Sequence, residues 1–244
     1  MSRTTPAAAQ AAHDAWRATR RDAVTAPNGN LALIETRWLP EGQRPDLDGA
    51  RTNTPASVSV TSLSRTDIDT GAAEYGLRFW DADSPAIRSF TGITAFEYDP
   101  DWVVEAVFTP VDAKRTIPFE HIRDNGGARQ LVVPGDITFT RHGAEYTFAA
   151  FDDGGALLLV FGDPTNTQTG DTRTYGAGRF LFVERSDDAA SGGPGTVTLD
   201  FNRAFVPPCG FSGEYNCPLP PAQNRFATPV EAGEKRVIFT HEEL

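Results

Sequence analysis

The stretch DITFTRHGAEYTFAAFDDGGALLLVF, residues 136–161, decides the fold. Ile137 and Phe139 alternate with Thr138 and Thr140, the period-two pattern of a half-buried strand. His142-Gly143 then supplies a two-residue turn. Glycine suits its second position, and histidine accepts positive φ more readily than most side chains. Beyond the turn Tyr146 and Phe148 resume the alternation, so 136–151 reads as a hairpin. Asp152-Asp153-Gly154-Gly155 turns the chain again into Ala156–Phe161, which is apolar at every position. A strand of that kind is covered on both faces.

Outward from this core the chain repeats the same grammar. Leu31–Leu39, Val58 and Val60 among serines, Tyr75–Trp80, Ile93–Tyr98 and Val103–Phe108 are short strand patterns separated by Asp, Pro and Ser. Tyr175–Glu184 and Thr196–Arg203 follow, joined by a Ser/Asp/Gly linker, and Val237–Thr240 is placed to close the sheet. About ten short strands at this spacing predict a mainly β protein, a single antiparallel sandwich or barrel. Residues from about Pro6 to Val24 predict one helix: Thr5 caps, Pro6 sits in the first turn, and no other Pro or Gly intervenes. Its Ala12, Trp16 and Thr19 share a face, with Trp16 as the expected anchor. The domain reading is therefore a helix over 1–25 packed on the body, and one β-rich domain over 26–244. A proline-rich cover runs from about 207 to 229, where proline forbids helix or central strand.

The chain has 244 residues, enough for one full-sized core. With 39% hydrophobic and 23% charged residues it is not a disordered sequence. Its net charge of -11 repels phosphate backbones and anionic lipid, which disfavours nucleic acid and membrane surfaces as partners. The N-terminus has no uninterrupted apolar run of a secretory signal, and the longest apolar run, Ala156–Phe161, is far too short for a membrane span. A cytoplasmic protein is the expectation. Cytoplasm and a count of two cysteines argue against a disulfide scaffold.

Several phrases in the second half carry a resemblance. They are Thr174-Tyr-Gly-Ala-Gly-Arg-Phe-Leu181, Leu199-Asp-Phe-Asn-Arg-Ala-Phe205, Pro207-Pro-Cys-Gly-Phe211, Cys217-Pro-Leu-Pro-Pro-Ala-Gln-Asn-Arg225 and Glu231-Ala-Gly-Glu-Lys235. Phe79-Trp-Asp81, Ser84-Pro85, Arg88, Phe90 and Gly92 add to them. The chain resembles the prokaryotic family of unknown function numbered sixteen-eighty-four, from about Trp16 to Lys235. Val206 and Gly210 depart from the family's usual Asn and Ala. The resemblance implies membership and no activity.

Candidate site residues come from the same phrases. Arg179 shares a face with Tyr175, Ala177, Leu181 and Val183, and both faces of that strand are apolar enough to be covered. A buried guanidinium needs a carboxylate or a bound anion. Asp200 or a similar carboxylate is the expected structural partner, and Gly176 and Gly178 leave room for a backbone or ligand. Asp200 and Asn202 project from one side of their strand, opposite Val197, Leu199, Phe201 and Arg203. Asn202, Asn224 and Arg225 are candidates for tying down the proline-rich cover. The leading reading is a module binding a small polar or anionic ligand, with Arg179 and Arg203 for charge and Asn202, Asn224 and Asp200 for hydrogen bonds. Tyr175 or Phe79-Trp80 would form the apolar wall. An enzyme using Asp200 or Cys209 is the alternative, and a structural or partner-binding protein the third class.

Other chemistry is thinly represented. Gly176-x-Gly178 lacks the third glycine and the following helix of a dinucleotide fingerprint. Gly210-Phe-Ser212-Gly213 is one residue short of a nucleophile elbow. The polar run Asp163–Asp171 lacks calcium-loop spacing and reads as a surface loop. Cys209 and Cys217 stand too far apart for a zinc pair, and His13, His121, His142 and His241 offer no companion spacing, so no metal is expected. The two cysteines are redox candidates: buried thiols by default, a reversible bridge as the sharper expectation. The sequence names no cofactor and no catalytic residue.

Overall fold

The computed structural model describes residues 5–67, 70–112, 114–124, 126–185 and 193–240. The linker at 186–192 and His241 therefore lie outside the described residues. In chain order the elements are helix α1 (Pro6–Thr25), strand β1 (Leu33–Trp38), helix α2 (Leu47–Arg51), β2 (Val58–Thr66), β3 (Ala73–Asp81), helix α3 (Pro85–Ser89), β4 (Phe90–Ala95) and β5 (Val103–Pro110). Then come β6 (Thr116–Glu120), β7 (Ala128–Val132), β8 (Gly135–Arg141), β9 (Ala144–Asp153), β10 (Ala156–Phe161), β11 (Arg179–Arg185), β12 (Gly195–Asp200) and β13 (Glu234–Phe239). The protein is mainly β with an N-terminal helix, as its sequence predicts. The chain groups into two compact units: Met1–Trp16, Ile93–Pro207 and Cys217–Arg236 in the first, and Arg17–Gly92, Pro208–Asn216 and Val237–Leu244 in the second.

The first unit is built on a closed six-stranded barrel in the order β5-β8-β9-β10-β11-β12 and back to β5. Every neighbour is antiparallel, and apart from the β6–β7 insertion the barrel is a plain meander. Between the sandwich and the barrel, the barrel is what forms. The turn at its centre has His142 at φ 50° and Gly143 at φ 79°, the paired positive values that a tight hairpin turn requires. Alternation then sorts the side chains. On β5, Val104, Ala106 and Phe108 are buried while Val103, Glu105 and Val107 face out. Ile137, Phe139, Phe148, Leu157, Leu159, Phe161, Leu181, Val197 and Leu199 join the same core cluster. Six strands enclose only a narrow interior, which side chains fill. Phe226 is part of that fill, its ring 4.8 Å from Tyr146 and 5.1 Å from Phe148.

Leu157–Phe161 is buried on both faces, as its unbroken apolar run predicts. The outer cover includes the β6–β7 hairpin, whose Phe119 stands edge-on to Phe151 at 5.6 Å, and Phe151 is the cross-strand neighbour of Leu158. The sequence reading did not find this hairpin, because Pro118 lies inside β6. Proline is tolerated here since β6 lies in a two-stranded sheet, where Pro118 faces Gln130 of β7 and the other edge is met only at the C-terminal end of β6. The proline-rich segment adds main-chain bonds: Ile122 N donates to Cys217 O and Leu219 N to Glu120 O. Gly178 has φ +89°, and a Cβ there would lie 2.4 Å from Pro220 Cγ and 2.7 Å from Phe161 O. The glycine makes room for the cover, not for a ligand.

Three expectations need correction. Val237–Thr240 does not close the main sheet: β13 pairs with β4 in a separate ribbon, and β12 with β5 closes the barrel. The strand expected over Tyr175–Glu184 starts only at Arg179, because a turn with Gly178 N bonded to Tyr175 O precedes it. On α1 the buried side chains are His13 and Val24, with Ala12 and Thr19 exposed and Trp16 half-buried. His13 stacks on Trp16 at 5.9 Å, and its Nε2 lies 3.1 Å from Asn202 O.

The second unit carries a three-stranded sheet, β1-β3-β2. Val60, Leu77 and Phe79 pack with Leu39, Leu47, Ala50 and Val58. A separate cluster joins Ala32, Leu33 and Trp80 to Ile87 and Tyr215. Ser84 caps α3 by accepting from Ile87 N and donates its hydroxyl to Leu31 O at 2.7 Å.

The buried His121 follows β6, with its Nδ1 2.9 Å from Phe119 O. Burial pushes its pKa below the ordinary 6.5, helped by Arg129, and against the opposing pull of the Phe119 bond and Asp124. The fold thus favours the neutral ring. Its stabilising contribution is whole above pH 6.5 and declines as pH falls from there toward the lowered value. In urea unfolding across pH 7.5 to about 5, the wild type is expected to lose more stability than H121N, which retains an Nδ1-like donor without the titration.

Candidate functional site

Arg179 opens β11 opposite Phe161 and shares the inward phase of Leu181 and Val183. It is fully buried, its guanidinium 5.2 Å from the Phe161 ring centroid. Nη2 donates to Asp163 Oδ2 and to Val230 O, both at 2.8 Å. Nη1 donates to Ala232 O and, at 3.5 Å, to Glu234 O. Burial pulls the guanidinium pKa down, and Asp163 opposes that pull. The structural partner is therefore a carboxylate of the expected kind, Asp163 and not Asp200. Asp163 follows β10 directly, and the chain turns there through Pro164–Asn166, which brings the carboxylate to the end of β11.

Asp163 is itself fully engaged. Its Oδ1 accepts from Thr165 N at 2.9 Å and Val230 N at 3.1 Å. Its own N–H donates to Asn166 Oδ1, while Asn166 Nδ2 donates to Thr174 Oγ1 and Tyr175 O. Thr165 and Thr174 hydroxyls meet at 2.7 Å. The start of the polar run is thus a buried, capped 3-10 turn, where the sequence suggested a surface loop. Nearby, the buried Glu234 carboxylate accepts from Val206 N at 2.8 Å.

The other sequence candidates have equally definite protein partners. Asn202 accepts from Asp99 N and donates to Asp99 O, both at 2.9 Å, so it holds the turn before β5 and not the proline-rich cover. Asp200 ends its strand, and Phe201–Arg203 forms a 3-10 turn that it caps by accepting from Asn202 N. Asp200 and Asn202 are thus not alternate positions of one strand. Arg203 pairs with Glu184 at 2.6 Å and Asp200 at 3.3 Å. Asn224 accepts from Ala149 N and donates to Ala149 O and Val160 O, bridging β9 and β10 like a short strand. Arg225 donates to Pro220 O within the cover. Tyr175 is half-buried in the turn before β11. Phe79 and Trp80 belong to the second unit, where Trp80 Nε1 donates to Thr61 Oγ1. Cys209 is half-buried and Cys217 buried, both as thiols. Among the described residues no three His, Cys, Asp or Glu gather as a metal site, and no helix is long and apolar enough to cross a membrane.

The second unit holds an open cavity of about 370 Å³ that the sequence reading missed. It is lined by Arg37, Trp38, Leu39, Pro40, Gln43, Asp46, Ala50 and Leu77. Asp46 caps α2, its Oδ1 accepting from Gly49 N at 2.9 Å. Arg37 pairs with Glu35 through Nε and Nη2. Arg65 lies 3.9 Å from the Trp38 ring centroid, and Arg44 lies 4.2 Å from that of Tyr75. The Pro40–Thr54 stretch reads as loop because α2 is only five residues long. The available signal was Asp46 three residues before Gly49, beside Trp38-Leu39-Pro40.

Fold and site define a six-stranded meander barrel whose polar motif residues each have partners within the protein, though Nε of Arg179 is buried without a hydrogen bond among the described residues. Over residues 88–235 the chain matches the family described as Protein of unknown function (DUF1684), and it belongs to that family. The cavity lies outside the matched span. A solution NMR structure of an uncharacterized protein from gene locus rrnAC0354 of Haloarcula marismortui is similar, at 30% identity over 62% of this chain and 80% of that one, with a TM-score of 0.49. No curated protein matches the chain.

If the pair is structural, Arg179→Ala leaves the Asp163 carboxylate buried without its cation, at a cost of about 3–5 kcal/mol. Adding Asp163→Asn keeps the acceptor for Thr165 N and Val230 N while removing the charge. Chemical denaturation is expected to show the double variant more stable than Arg179→Ala alone. A double variant that is no more stable contradicts the assignment.

Proposed function

We propose that the protein is a binding module for a small polar ligand, held in the Arg37–Trp38–Asp46 cavity. The observation that carries this reading is the cavity's composition. A volume of about 370 Å³ falls in the range of small-molecule sites, and it combines an aromatic and aliphatic wall with a few polar groups. The reading keeps the Arg-plus-aromatic chemistry expected from the sequence but moves it to different residues. Arg179, Asn202 and Asn224 hold the fold, so they are not assigned to the ligand. A second reading, partner binding, is favoured by Val107 and Phe182, which are 55% and 49% exposed on outward-facing strand positions.

Native mass spectrometry of protein purified from its own host tests the first reading. A retained small molecule is expected on the wild type, and its loss from Trp38→Ala at unchanged fold by circular dichroism. No retained mass, or one that Trp38→Ala keeps in full, contradicts it.

A further inference from the structure

Resting on the cavity as the binding site, we infer that its ligand is a zwitterion: a small molecule carrying both an ammonium and a carboxylate group on an apolar body, as in a large amino acid. The cavity presents one cation and one anion. Glu35 engages Nε and Nη2 of Arg37, which leaves Nη1 as the remaining edge of the guanidinium. Asp46 spends Oδ1 on its cap bond to Gly49 N, and among the described residues it has no ion-pair partner. Gly49 allows this carboxylate to sit close, since a Cβ there would lie 2.3 Å from Asp46 Oδ2.

These charges discriminate. A simple anion attracted to Arg37 meets the carboxylates of Asp46 and Glu35 in the same neighbourhood. A simple cation drawn to Asp46 meets Arg37 instead. A molecule with both charges answers each group, and charge-assisted hydrogen bonds are the strong ones. Apart from Gln43, the remainder of the lining is Trp38, Leu39, Pro40, Ala50 and Leu77, a surface for an aliphatic or aromatic side chain. A volume of about 370 Å³ lies at the lower end of the range for small-molecule sites and admits a body of the size of phenylalanine.

Calorimetric titration of the full chain with three probes of one body separates the possibilities: phenylalanine, N-acetylphenylalanine (anion only) and phenylalanine amide (cation only). Phenylalanine is expected to bind at least about tenfold more tightly than either blocked form. D46N keeps the helix cap, because asparagine caps as well as aspartate, and R37Q removes a surface-exposed pair and the guanidinium's contact with the Phe79 ring. D46N is expected to erase the preference for phenylalanine over its N-acetyl form, and R37Q the preference over its amide. Equal binding of a blocked form, or a preference unchanged in both variants, overturns the zwitterion while leaving the cavity as a binding site. No binding of phenylalanine also overturns it, and the mass-spectrometric result on Trp38→Ala then judges the cavity separately.

Discussion

A guanidinium with no exposed surface sets the terms for one end of the barrel. Arg179 could not be buried there without a carboxylate and several carbonyls, because an unpaired buried ion costs several kcal/mol. The demand is met by chain far from it in sequence: Asp163 sixteen residues back, and Val230, Ala232 and Glu234 more than fifty residues on. Asp163 in turn accepts from Val230 N, so the pair fastens the returning C-terminal segment to the end of β10. Phe226, four residues before Val230, can then fill the barrel interior. Asn224 repeats the device on a smaller scale, replacing a missing strand neighbour for Ala149 and Val160.

The same constraint separates structural polarity from functional polarity. A buried polar group whose donors and acceptors are met by protein has little left for a ligand. Asn202 and Asn224 are of that kind, and so are the two terminal nitrogens of Arg179, whose buried Nε alone lacks a hydrogen-bond partner among the described residues. The cavity residues differ: Arg37 and Asp46 are charged, exposed and only partly engaged, beside a tryptophan and aliphatic side chains. The family match over 88–235 spans the barrel strands and leaves the cavity outside it.

Much of the fold was legible because the barrel strands obey a simple period. The 136–151 hairpin, its His142-Gly143 turn and the doubly covered β10 follow from alternation and turn chemistry alone. Burial of Arg179 was legible too, since its strand is apolar on both sides. Its partner was not. Asp163 precedes a proline in a run of polar residues, and only the capped 3-10 turn buries it. β6 was hidden by Pro118, and the end of β12 by a 3-10 turn that alternation cannot foresee. The cavity escaped because it depends on the five-residue α2 returning to the sheet, a tertiary arrangement with no periodic signal.

Native-state hydrogen exchange reads the central claim most directly, at the amides that the buried carboxylates hold. If the Arg179–Asp163 network is integral to the barrel, Val230 and Thr165, bonded to Asp163, and Val206, bonded to Glu234, exchange only through global unfolding, with the same denaturant dependence as Leu159 in β10. Exchange of Val230 and Thr165 at rates typical of surface loops, while Leu159 stays protected, would contradict it.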